Sequence, residues 1–201
     1  MGGDRLSLEV KLGAGSSALL TSVAAQKVYG SVGRSRRAPA GLWARQELRM
    51  TLAEGADLEW LPQELVLYAD GLYSQRLRVE LAPGASWLGA EVVRLGRTAA
   101  GEQLGQGRWR SCLELVRLRP EGRRWELVDR LELADAALHG EHGMAGEPVY
   151  GALVWAAPHP LAAGALADLV AEARQARAGL EGQMDCGALE QGLVEIGRAH
   201  V

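Results

Sequence analysis

The feature that most constrains this chain is a short block that comes three times: Lys11-Leu12-Gly13-Ala14-Gly15-Ser16, Thr51-Leu52-Ala53-Glu54-Gly55-Ala56 and Glu80-Leu81-Ala82-Pro83-Gly84-Ala85. Before each block apolar residues alternate with polar ones, as Leu6, Leu8, Val10, Leu12, then Leu48, Met50, Leu52, then Leu77, Val79, Leu81. A period of two places successive side chains on opposite faces, the mark of a strand with one face buried. The glycine accepts positive φ and Pro83 presets the backbone beside it, so the chain turns at each block. Strand, turn and further strand, recurring at intervals of roughly thirty to forty residues, predict stacked units that each bury the flank of the next.

The alternation returns at Leu113, Leu115 and Leu118 and at Leu127, Leu131 and Leu133, with Pro120-Glu121-Gly122 between them, which predicts a hairpin. From Leu161 to Ala178 the period changes: Leu161, Leu166, Leu169, Val170 and Ala173 follow helical spacing, alanine is abundant, and Pro160 suits a helix start. Gly179 suits the end of that helix, and the glycine-rich run up to Val194 fits neither period. Strands followed by one late helix predict a mainly β domain, α+β at the margin, without the strand–helix alternation of a parallel α/β fold.

With 48% hydrophobic and 23% charged residues among 201, the chain can bury a core as one domain over residues 1–194. A formal charge of -3 gives no long-range attraction to nucleic acid, and the Arg34, Arg36, Arg37 run reads as a solvated loop. The apolar runs are shorter than the roughly twenty residues of a membrane span, and no signal-peptide pattern opens the chain, so a cytoplasmic protein is expected. Cys112 and Cys186 match neither a disulfide framework nor zinc-site spacing and read as small hydrophobes. No Ser-His-Asp set, phosphate-binding glycine loop or dinucleotide fingerprint is present, so no enzymatic activity is expected.

Five motifs then fall in one order: Gly2-Gly3-Asp4, Leu20-Thr21-Ser22 with Ala25-Gln26-Lys27-Val28-Tyr29, Leu58-Glu59-Trp60-Leu61-Pro62-Gln63-Glu64, Glu91-Val92-Val93-Arg94-Leu95-Gly96-Arg97 with Gly101-Glu102 and Gly107, and Asp129-Arg130-Leu131. In order and spacing this set resembles the UreD (also called UreH) family of urease accessory proteins, continuing more weakly through Gly151-Ala152-Leu153. The resemblance implies a β-helix-like stack of strands with a C-terminal helical element. It also implies a cytosolic assembly with UreF, with UreG reached through UreF, and with apo-urease. There the GTPase UreG carries nickel and a UreD protein offers it a passage, with no cofactor held stably. Family stretches before Gly2-Gly3-Asp4 and beyond Val194 are expected to be missing. The tail Glu195-Ile196-Gly197-Arg198-Ala199-His200-Val201 reads as a translated sequencing adapter, so 195–201 are expected to be foreign to the domain and His200 is not counted as a ligand.

By this resemblance Asp4, Glu91 and Asp129 are the candidates for a nickel passage. Carboxylate oxygens hold a borderline divalent ion more weakly than imidazole or thiolate, and a conducting site must release what it binds. Glu91, between Trp87-Leu88-Gly89-Ala90 and Val92-Val93, reads as a charge in a buried strand, which demands a reason. The alternative is a structural ion pair with Arg94 or Arg97. For Asp129 it is a surface position beside Arg130, and for Asp4 a turn position after two glycines. Gln26, Lys27, Tyr29 and Arg97 are expected to line or brace the interior. Glu59, Trp60, Pro62 and Glu64 are candidate partner contacts, with Leu61, Tyr68 and Tyr73 as possible aromatic and aliphatic neighbours in that surface. His139 and His142 with Glu141 offer imidazoles to nickel, but their glycine-rich surroundings read as a surface loop. The readings from other classes are a β-solenoid carbohydrate-active enzyme, which would need paired carboxylates in a groove, and a plain protein-interaction module.

Overall fold

A computed structural model of the chain describes residues 2–179, 182–190 and 193–200. The strand alternation seen in the sequence becomes two sheets between which the backbone winds. One sheet, here sheet A, holds β1 (Arg5–Leu12), β4 (Ala44–Leu52), β7 (Leu72–Leu81), β9 (Arg108–Arg119) and β10 (Gly122–Leu133) in that order. The first four run parallel, and β10 returns antiparallel as the predicted hairpin. The other, sheet B, holds β2 (Ser17–Thr21), β5 (Asp57–Leu61), β8 (Ser86–Leu95), β11 (Val149–Ala156), β13 (Leu193–His200) and β12 (Cys186–Glu190), with β3 (Gln26–Val28) on β6 (Leu65–Leu67) and β6 on β8. The chain crosses from sheet A to sheet B and back, and successive coils pair in parallel up to β9 and β8, a β-helix-like stack to which β11, β13 and β12 add antiparallel.

The repeated blocks form one corner of the stack. In each, a backbone bond closes a four-residue turn, Ser16 to Gly13, Ala56 to Ala53 and Ala85 to Ala82. The third residue is Gly15, Gly55 or Gly84, at φ +63°, +65° and +68°, the place where a type II turn requires glycine. Successive corners are tied together, the Gly15 N–H donating to the Glu54 carbonyl at 2.9 Å and the Gly55 N–H to the Pro83 carbonyl at 3.1 Å. The coils differ in length because the opposite corner varies, the longest loop there carrying the exposed Arg34, Arg36 and Arg37.

Inward positions of the two sheets meet as two apolar clusters. One surrounds Leu52, Leu58, Leu81, Trp87 and Leu115, and the other Leu67, Tyr73, Val93, Trp109 and Tyr150. Before β11 comes a single-turn helix, α1 (Ala136–His139). The late helix, α2 (Ala163–Ala176), lies inside the predicted span and packs on β12, where Arg174 donates to the Cys186 carbonyl at 2.7 and 3.1 Å. The glycine-rich run that fitted neither period contributes β12, and residues 195–200 of the segment read as adapter continue β13; Val201 lies outside the described residues. No helix among the described residues is long and apolar enough to cross a membrane.

Candidate functional site

The two clusters are separated by a polar layer. Along the inward side of sheet A each of three neighbouring strands places one polar residue at the same level: Gln46 on β4 is in register with Gln75 on β7, and Gln75 with Ser111 on β9. The other inward positions around Gln46 are apolar: Ala44, Leu48, Met50 and Leu52. From sheet B, Gln26 and Glu91 reach the same level, and Asp129 on β10 closes it; all six line one interior cavity of about 100 Å³. That is room for a few water molecules, each of which occupies about 30 Å³ in the liquid.

Hydrogen bonds connect the layer. The Gln26 side-chain amide donates to the Tyr73 hydroxyl at 3.0 Å, and that hydroxyl donates to the Gln46 carbonyl oxygen. Gln75 Nε2 donates to Ser111 Oγ at 3.2 Å, and Ser111 Oγ donates to Glu91 Oε2 at 3.4 Å. Glu91 faces the cavity from a desolvated position, and burial, reinforced by the charge of Asp129 and opposed by the Ser111 bond, pushes its carboxyl up to about 8. The Tyr73 hydroxyl is likewise pushed well above its ordinary value by burial.

A break in sheet B shapes the cavity. Strand β8 is continuous, but its parallel neighbours stop at Leu61 and resume at Leu65, with Pro62 between them, so the parallel ladder has no partner residue opposite Glu91 on that side. Proline cannot donate to a ladder, which is the local reason for the gap. Trp60, Pro62 and Gln63 line the cavity there, and Gln63 is exposed, so the cavity reaches the surface at the break.

The structure thus brings Glu91 and Asp129 together and leaves Asp4 outside. Asp4 is exposed at the start of β1, where its carbonyl accepts from Arg45 N at 2.8 Å; the turn position after two glycines turns it away from the interior. The ion-pair reading of Glu91 does not hold, because Arg94 points outward from β8 and bonds Thr98 while Arg97 engages Glu102. Only Gln26 of the four expected interior residues lies inside. Lys27 and Tyr29 are exposed, since Lys27 has the opposite strand parity to Gln26 and Tyr29 follows the end of β3. Tyr29 instead meets Tyr68 edge-on at 4.9 Å, and Arg97 lies over the Tyr68 ring at 4.8 Å, an external brace across the coils.

Of the expected partner contacts, Trp60 is corrected to an inward residue, packed against the core, and Pro62 to a cavity wall. Tyr73 is fully buried; Glu59, Leu61, Glu64 and Tyr68 are half-buried. His139 and His142 are exposed, and among the described residues no three His, Cys, Asp or Glu side chains gather as a metal-ligand group. Sequence reading passed over Gln46, Gln75 and Ser111. Their signal was present as one polar residue interrupting each inward apolar row.

The chain matches the family described as UreD urease accessory protein over residues 1–195. It is 62% identical over 194 residues to a protein of Prochlorococcus marinus (strain MIT 9303) named urease accessory protein UreD, covering 96% of this chain and 65% of that relative. Proteins of the same name from Synechococcus sp. (strain CC9902) and Synechococcus sp. (strain RCC307) are 60% and 53% identical over 194 residues, covering 96% of this chain in both cases and 62% and 61% of the relatives. The chain therefore spans somewhat less than two thirds of the length of these relatives.

Proposed function

The chain belongs to the UreD family of urease accessory proteins, and from that premise we propose that it assists delivery of nickel into apo-urease as a non-enzymatic member of a cytosolic complex with UreF and, through UreF, UreG. The observation that carries this reading is the meeting of Glu91 and Asp129 at one interior cavity, at the end of a polar row that runs from coil to coil. Such a row gives an ion a route parallel to the stack axis between two dry clusters. The amide and hydroxyl oxygens of Gln46, Gln75 and Ser111 can replace part of its hydration along the way, and they bind too weakly to retain it.

Glu91 adds a control on the traffic. Its carboxyl is held protonated near neutral pH by burial and by Asp129, so an arriving divalent cation gains a carboxylate ligand only as the Glu91 proton leaves. Release is favoured by the same desolvation, which restores the proton once the cation moves on.

Co-expression with a urease operon lacking its own UreD gene tests the reading. Glu91→Gln and Asp129→Asn are each expected to lower urease activity and urease-bound nickel about tenfold or more, a loss of roughly 1.4 kcal/mol in the passage step, while the complex with UreF still co-purifies. Full activation by the double variant would remove the passage assignment.

A further inference from the structure

The outer face of sheet A is an arginine field. Its outward positions carry ten of the 22 Lys and Arg residues of the chain, nine of them arginine, but only five of the 25 Asp and Glu. A chain of net charge -3 thus presents one strongly positive sheet face, and no other element packs over it among the described residues. Two features show that this charge is not used up inside the face. Arg5 and Arg45 lie side by side in register on parallel strands, an arrangement that costs stability unless an anion compensates it. Arg5, Arg45 and Arg130 form no ion pair with a described residue, whereas the other basic residues of the face pair with neighbouring carboxylates, as Arg76 does with the buried Glu114 at 2.7 and 2.9 Å.

A trough follows β4 and β7 across this face. It has one section of about 260 Å³ between Trp43, Arg45, Arg76 and Arg110, and another of about 550 Å³ between Arg49, Arg78 and Arg123. A tryptophan marks each end: Arg110 lies over Trp43 at 4.4 Å, and Arg78 lies 5.2 Å from the half-exposed Trp125 ring. Stacking on an aromatic face holds each guanidinium in place at the trough's ends, where Arg110 also bonds Glu132 at 3.1 Å and Arg78 bonds Glu80 at 3.1 Å. Tryptophan with arginine, and little lysine, is also the composition of protein–protein contact centres.

From this geometry we infer that the outer face of sheet A docks an extended, carboxylate-rich segment of a partner protein along the β4–β7 trough. This face is separate from the interior cavity between the sheets, which is lined by Gln26, Glu91 and Asp129. The partner is acidic because, among the described residues, no side chain neutralises Arg45 in the trough or Arg5 on β1 and Arg130 on β10 beside it. It is a peptide segment, since the trough is as long as a strand and its charges alternate with Glu47 and Glu80, a pattern that suits spaced carboxylates better than a continuous phosphate backbone.

The test titrates a short fluorescein-labelled peptide of alternating Glu and Ser with the 201-residue chain at low ionic strength, beside single-stranded DNA of matching length. The peptide is expected to bind, and Arg45→Glu with Arg130→Glu to weaken it about tenfold or more. Lys27→Glu with Arg94→Glu, the same charge change on the outer face of sheet B, should leave it within about twofold. Absence of peptide binding, equal weakening by both double variants, or tighter binding of the DNA overturns the inference. Should the Arg45, Arg130 reversal melt before the titration, Arg45→Gln with Arg130→Gln reads the same contrast, and a result indistinguishable from wild type there overturns it as well.

Discussion

At the scale of single residues the molecule turns on one carboxyl group. Glu91 has its folded-state pKa raised from 4.5 to about 8, so its contribution to stability is fully present below 4.5, declines as pH rises, and is gone above about 8. Thermal melts across that window should show wild type losing on the order of a few kcal/mol relative to Glu91→Gln, the loss levelling off above the folded pKa. Parallel curves for the two proteins would mean that Glu91 is solvated. Asp129→Asn removes the neighbouring charge and should move the midpoint of that loss downward, while Ser111→Ala removes the bond that favours the ionised form and should move it upward. Opposite signs from two neighbours of one group separate electrostatics from a general loosening of the cavity.

At the scale of elements, strand β8 shows how the interior is held. Its inward row runs Trp87, Gly89, Glu91, Val93, and a Cβ placed on Gly89 would lie 2.1 Å from the Trp87 ring. The indole therefore folds along its own strand over the glycine, next to the cavity. Gly89→Ala should displace a fully buried ring and cost about 1–3 kcal/mol, the usual range for overpacking; a melting temperature equal to wild type would show that the ring has another place to go. The corner glycines behave differently, since Gly84→Ala meets nothing closer than 3.7 Å and suffers only from its positive φ. These corners were legible in the sequence because turn chemistry is local. The break at Pro62 was half legible: proline announced an interruption, but only pairing with the uninterrupted β8 shows that the gap falls opposite Glu91.

At the scale of the whole molecule the stack has an open end. Strands β1 and β2 are edges of their sheets, and Leu6 and Leu19 remain 55% and 57% exposed there. Unpaired backbone groups beside exposed leucines invite association through the edge. Light scattering should find this chain self-associating at concentrations where Leu6→Lys with Leu8→Lys is monomeric, with little change in melting temperature because both leucines are at least partly solvated. A wild-type chain that stays monomeric would show that the edge is protected. The same architecture divides the surface, setting an arginine-rich face on sheet A against a sheet B surface with exposed Leu19 and Val92.

The sequence by itself determined the strands, the three glycine corners, the hairpin, the late helix and the family, because each rests on neighbours in the chain: a period of two, a turn that needs positive φ, a motif read in order. It also singled out Glu91 and Asp129. Only the tertiary structure decided that these two share a cavity while Asp4 stays outside, and that Lys27 is exposed while Tyr29 and Arg97 brace the exterior instead of lining the interior. The reason is register. Which face a residue occupies follows from strand parity, but which residues meet across the stack depends on the lengths of the coils between them, as when Gln46 finds Gln75 and Gln75 finds Ser111. That alignment is fixed by packing between coils, and no single stretch of chain contains it.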